Sequence, residues 1–177
     1  MNELSPWPNW RFGAAEGAQY LAFVVEAVKP FVDERYRTRS DAASTAIIGR
    51  SMGGLISHAA IHRYPQVFGK AALFSPSYWF APPVFDETRS RPLPADTRVY
   101  LYMGGKEGAE ALADVRRMHT LMAQRMDPAP PAPERAGAGR AQRGGVARRA
   151  AAGADLVVRV AAAPVVDAGH EGAIRFT

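Results

Sequence analysis

Thr45-Ala46-Ile47-Ile48-Gly49-Arg50-Ser51-Met52-Gly53-Gly54-Leu55 is the stretch whose reading decides the fold. It contains a Gly-x-Ser-x-Gly pentapeptide at Gly49, Ser51 and Gly53. Such a pentapeptide recurs by chance, or serves only as a small-residue turn that lets a helix approach a sheet, so its surroundings decide its meaning. Ile47 and Ile48 form a short β-branched run ahead of it, and Leu55, Ile56, His58, Ala59, Ala60 and Ile61 supply a helix after it. The serine therefore falls on a strand-to-helix turn, the arrangement of a nucleophile elbow. A turn this tight strains the serine backbone and brings the residues two positions either side against each other. Gly49 and Gly53 are expected to remove the colliding side chains. Ser51 Oγ is then exposed, and the Met52 N–H, at the start of the helix, is placed to stabilise an oxyanion.

Outward from the elbow, strands and helices alternate. Apolar residues recur at helical spacing from Gly17 to about Tyr36 (Tyr20, Leu21, Val24, Val28, Phe31, Val32), which predicts an amphipathic helix bent or split near Pro30. Residues 2–12, with Trp7, Trp10, Pro6 and Pro8, read as an irregular segment anchored by its aromatics. Beyond the elbow helix, which Tyr64-Pro65 ends, residues 70–75 and 98–103 read as short strands and residues 111–126 as a further amphipathic helix. Residues 82–94 are rich in proline and charge and read as a connection. This alternation predicts an α/β domain with a parallel sheet. Ligands of such sheets sit outside the carboxyl ends of the strands, which makes Tyr78 and Trp79, in the aromatic loop after residue 75, candidates for a wall of the substrate pocket or for a plug over the sheet edge.

The formal net charge of +5 is unevenly spread. Residues 129–154 hold five arginines and one acid, leaving only +1 for the remainder. Of those 26 residues, 23 are Ala, Pro, Gly or Arg, a composition that cannot build a packed core. Residues 1–127 are thus expected to form the main α/β core, residues 128–154 a low-complexity segment, and residues 155–177 a C-terminal strand and histidine loop of the same domain. The localised charge, without aromatic-basic interleaving or zinc spacing, argues against a nucleic-acid partner. No apolar run reaches a membrane span, no signal-peptide pattern is present, and the cytoplasm is the default location. The absence of cysteine removes disulfides and thiolate metal sites, and no cofactor or metal is expected.

A serine hydroxyl needs a base within hydrogen-bond reach and a group to orient that base. In this fold the chain order is serine, acid, histidine. Glu107, in the loop after the strand at residues 98–103, is the candidate acid, with Asp114 the alternative. His170 follows a strand-like run near the C-terminus and is the candidate base. His58 and His62 lie on the elbow helix, which carries them away from Ser51, and His119 sits inside a predicted helix; all three are expected to be structural.

Several phrases in order carry a family resemblance. They are residues 20–23, Val28-Lys29-Pro30-Phe31-Val32-Asp33-Glu34-Arg35-Tyr36, the elbow stretch itself, Tyr64-Pro65-Gln66-Val67-Phe68-Gly69, and Leu73-Phe74-Ser75-Pro76-Ser77-Tyr78-Trp79. Over residues 3–107 the chain resembles the putative esterase family of the α/β-hydrolase superfamily, which includes enterochelin-type esterases, S-formylglutathione hydrolases and some feruloyl esterases. The resemblance implies a three-layer α/β sandwich with a mostly parallel sheet. It also implies serine carboxylesterase activity on a small-molecule ester, with Ser51 as nucleophile, Glu107 or its neighbourhood as acid and His170 as base. Members of that family carry several strands ahead of the position of the helix at residue 17, including the loop that supplies a second oxyanion N–H. The chain is therefore expected to be truncated at its N-terminus, with reduced activity and an open apolar edge on the strand at residues 45–48. A non-catalytic remnant and an acyltransferase on the same triad are the alternative readings.

Overall fold

The strand predicted ahead of Ser51 forms as β1 (Ala46–Arg50), and the helix after it as α3 (Met52–Arg63). The structure is a computed structural model that describes residues 2–104, 106–126 and 156–161. Ahead of β1 stand α1 (Gly17–Phe23) and α2 (Lys29–Arg35); after α3 come β2 (Lys70–Phe74), α4 (Val84–Ser90), β3 (Arg98–Met103), α5 (Ala109–Met126) and β4 (Leu156–Ala161). The strands form one sheet in the order β1-β2-β3-β4. The first three are parallel, in a register that aligns Ile47, Ala71 and Val99 across the sheet. This is a mostly parallel sheet with flanking helices, as the alternation predicts.

The period-2 alternation of the strands decides which side chains enter the core. Ala71 and Leu73 of β2 and Val99 and Leu101 of β3 belong to a single hydrophobic cluster with Leu21 of α1, Leu55, Ile56 and Ile61 of α3, Val84 and Phe85 of α4, and Val115, Met118 and Met122 of α5. α3 is buried on nearly every side, which is why its sequence shows little contrast between faces. The other sheet face carries Ile48, Phe74, Tyr100 and Tyr102, and Phe74 lies 5.7 and 5.9 Å, ring centre to ring centre, from the two tyrosines.

Three features refine the sequence expectations. The helix predicted over residues 17–36 is interrupted by a π-helical segment (Val24–Val28), with Pro30 in the first turn of α2. A proline has no N–H to donate and its ring crowds the preceding turn, and widening that turn accommodates both. The connection predicted over residues 82–94 contains α4. Its apolar contribution is confined to Val84 and Phe85, too few for a helical period, and it is held instead by a two-pronged ion pair from Arg63 of α3 to Glu87, both bonds 2.6 Å long. Finally, β4, anticipated as a strand, pairs with β3 antiparallel, Leu156 opposite Met103 and Ala161 opposite Arg98.

The N-terminal segment is anchored as expected, but by one tryptophan. Trp7 is buried under the Arg63 guanidinium, whereas Trp10 is 94 % exposed. Phe12 stacks on Phe80, and Asn9 Nδ2 donates to the Phe80 carbonyl, tying this segment to the aromatic loop after β2. Among the described residues β1 is an edge strand. Ile48 on it is 56 % exposed, and Phe23 and Phe31 of the preceding helices are also exposed, so among the described residues this side of the sheet presents apolar side chains.

Candidate active site

Ser51 has φ 55° and ψ −119°, a left-handed backbone for a residue with a side chain. The tertiary structure holds it there through three main-chain bonds. Its N–H donates to Phe74 O at 3.0 Å, continuing the β1–β2 ladder by one rung; its carbonyl accepts from Leu55 N at 3.1 Å and from Ser77 N at 3.1 Å. Such a conformation costs on the order of 1–3 kcal/mol and persists only where its surroundings over-determine it. At Gly49 the reasoning about glycine holds, since a Cβ there would drive into the Gly53 carbonyl and lie 2.7 Å from Ser57 Oγ. At Gly53 it does not: a Cβ would meet open space, and the close approach falls one residue later, at Gly54 against Pro76.

The Ser51 hydroxyl opens onto a cleft of about 490 Å³ lined by Arg50, Ser51, Ser75, Ser77, Trp79 and Glu107, among others. Met52 begins α3, so its N–H has no acceptor within the helix. Ser51 Oγ lies 3.1 Å from Ser77 Oγ. Glu107 sits on the turn between β3 and α5, where its N–H donates to Gly104 O at 3.1 Å and its Oε1 accepts from Ser75 Oγ at 2.5 Å and from Gly104 N at 3.3 Å. A larger hollow of about 660 Å³ lies between the α1–α2 helices and the start of β1. Its carboxylate, Asp33, is engaged by Lys29 and Thr38, so it offers no comparable acid beside a nucleophile.

The residues singled out in the sequence divide clearly. Ser51, Glu107 and Trp79 come together in one cleft. Tyr78, anticipated beside Trp79, is buried beneath the loop and bonded to His58, Oη to Nδ1 at 3.0 Å. Burial of that hydroxyl pushes its pKa well up. Asp114, the alternative acid, lies within α5 and is not among the residues lining the cleft; burial raises its pKa. His58 and His62 are buried on α3, rings stacked at 4.8 Å, with burial as the main cause holding both below the ordinary histidine pKa. They are packing residues, as expected. His170 and the low-complexity run lie outside the described residues.

The hydroxyls of Ser75 and Ser77 were not anticipated. The aromatics dominate Ser75-Pro76-Ser77-Tyr78-Trp79-Phe80 on paper, and only the parallel pairing of β1, β2 and β3 brings these serines beside Ser51 and Glu107. Their position directly after a strand, one strand over from the elbow, is the signal that could have found them.

The model of the family described as "Putative esterase" matches residues 10–129. An uncharacterised protein of Bacillus subtilis, YbbA, is 33 % identical over 124 residues, which cover 67 % of this chain and 50 % of the relative. A siderophore enterobactin esterase of Emericella nidulans is 37 % identical over 76 residues, covering 43 % and 24 %. The chain thus spans half or less of the curated relatives it matches. Among solved structures, the BES protein of Bacillus cereus superposes with a TM-score of 0.59 at 16 % identity, over 67 % of this chain and 48 % of that one, a likeness of fold. Elbow, sheet order and family match converge: the chain belongs to the putative esterase family, on an α/β-hydrolase fold.

Proposed function

We propose that this chain carries the nucleophile side of a serine carboxylic-ester hydrolase working through an acyl-enzyme on Ser51. The observation that carries the reading is the left-handed Ser51 at the start of α3, with its hydroxyl on the cleft that Glu107 also lines. In the proposed reaction the base takes the Ser51 proton as Oγ attacks the ester carbonyl carbon. The negative charge then develops on the carbonyl oxygen, where the Met52 N–H and the N-terminus of α3 stabilise it. Collapse expels the alcohol, which receives the proton from the base, and water attacks the acyl-serine in the reverse sense to release the acid and restore Ser51.

Glu107 is the proposed orienting acid, and His170 the proposed base. β4 ends beside Arg98, at the end of the sheet away from Ser51. His170 stands nine residues after Ala161 and lies outside the described residues. Trp79, 57 % exposed at the cleft, and the exposed Arg50 beside Ser51 suit a small ester with an aromatic or anionic group. The esterase name of the Emericella nidulans relative supports the reaction class. The test compares p-nitrophenyl acetate hydrolysis and fluorophosphonate labelling of the chain with those of Ser51→Ala. A Ser51-dependent rate and label are expected; equal background rates and no labelling refute the reading.

A further inference from the structure

We propose that Ser75 is a positioning residue that seats the Glu107 carboxylate in the site, through the 2.5 Å hydrogen bond from its Oγ to Oε1. The proposal rests on the reading of Glu107 as the acid. A glutamate on an exposed turn ordinarily samples many rotamers, and holding it in one costs side-chain entropy. Here the turn and the end of β2 build a seat for it. The Glu107 N–H closes the turn onto Gly104 O, and the Gly104 N–H donates back to Oε1 at 3.3 Å. A Cβ on residue 104 would come within 2.7 Å of Oε1 and 3.4 Å of Cδ, so glycine leaves the space the carboxylate occupies.

Ser75 is itself placed at a cost. Its φ is 43°, it is 8 % exposed, and its N–H donates to Tyr102 O at 2.8 Å, one rung past the end of β2. Glycine would adopt this left-handed conformation without strain. A serine here offsets that strain through what its hydroxyl does, and that hydroxyl donates to Glu107. Both donors fall on Oε1, and in the proposed site Oε2 is the oxygen that orients the base.

The experiment measures kcat and KM for p-nitrophenyl acetate with the full chain, Ser75→Ala, Ser75→Gly, Glu107→Gln and the Ser75→Ala/Glu107→Gln double variant, with a thermal melt of each. Loss of one hydrogen bond to a charged group predicts a fall in kcat of about tenfold for both Ser75 variants, with KM unchanged. The same fall in Ser75→Gly, whose backbone is relieved of strain and whose melt is at least as high as wild type, separates positioning from folding. In the Glu107→Gln background, Ser75→Ala is expected to have no further effect. Wild-type kcat in the Ser75 variants beside a slow Glu107→Gln overturns the Ser75 proposal alone, as does a full additional loss in the double variant. Wild-type kcat in Glu107→Gln overturns the acid reading and this proposal together, as does the absence of any Ser51-dependent rate.

Discussion

Acidification from about pH 7.5 to about pH 5.5 should destabilise the fold through His58, and the size of the effect can be worked from its contacts. The Thr88 hydroxyl donates to Val84 O at 2.8 Å and must therefore accept from His58 Nε2–H, also at 2.8 Å. That fixes Nδ1 as the acceptor for the Tyr78 hydroxyl at 3.0 Å. The neutral ring is thus fully bonded inside the core, and burial, reinforced by the stacked His62, holds its pKa well below 6.5. The sign follows: a depressed folded pKa gives stability that is complete above the unfolded value of 6.5 and is lost as pH falls below it. The unfolded ring goes from about one-tenth to about nine-tenths protonated over this interval, while burial holds the folded ring toward its neutral form. The loss from His58 is at most about 1.4 kcal/mol, the limit for a ring that takes up no proton in the fold. Urea unfolding of wild type and His58→Gln at the two pH values measures it. The variant, whose amide keeps a donor and an acceptor but does not titrate, should show a shallower pH dependence, by up to that amount. His62, its pKa lowered chiefly by burial, leaves the variant some residual acid sensitivity. Superimposable pH dependences in the two proteins would refute the reasoning.

Other substitutions test the elbow, the edge and the cleft. Gly49→Ala should cost about 3 kcal/mol or more, because its Cβ runs into the Gly53 carbonyl, while Gly53→Ala, facing open space inside α3, should be neutral or up to about 1 kcal/mol stabilising; thermal melts decide, and equal effects of the two contradict the geometry. Ile48→Lys, placing a charge on the exposed β1 edge, should reduce concentration-dependent association in light scattering, and unchanged association would clear that edge of involvement. Trp79→Ala should raise KM for aromatic esters about tenfold with kcat nearly constant, since the ring lines the cleft without touching Ser51's main-chain bonds; a pure kcat effect would assign Trp79 another role.

Local chemistry made much of this protein legible. The β-branched run before Ser51, the buried helix after it, and the strands at residues 70–75 and 98–103 follow from apolar runs and their punctuation, which need no knowledge of distant partners. α4 escaped because two apolar residues make no period, and it is held by an ion pair to Arg63 across 24 positions of sequence. Tyr78 and Trp79 are adjacent in sequence and opposite in fate, one in the core against His58 and the other on the cleft. Composition cannot separate them, because the short helical turn that divides them is set by the loop's packing.

What the sequence by itself determined is the family, the alternation of strand and helix, and Ser51 at the point where one passes into the other. A glycine-flanked serine between an apolar strand and a helix admits few other conformations. The tertiary structure alone decided which groups meet that serine. Parallel pairing of β1, β2 and β3 brings residues 51, 75, 77 and 107, dispersed along the chain, to the edge of one cleft. It also showed that Gly49 carries the steric burden assigned to both glycines. Spacing along a chain predicts local conformation, whereas hydrogen bonds between neighbouring strand ends depend on register, which only the folded sheet establishes.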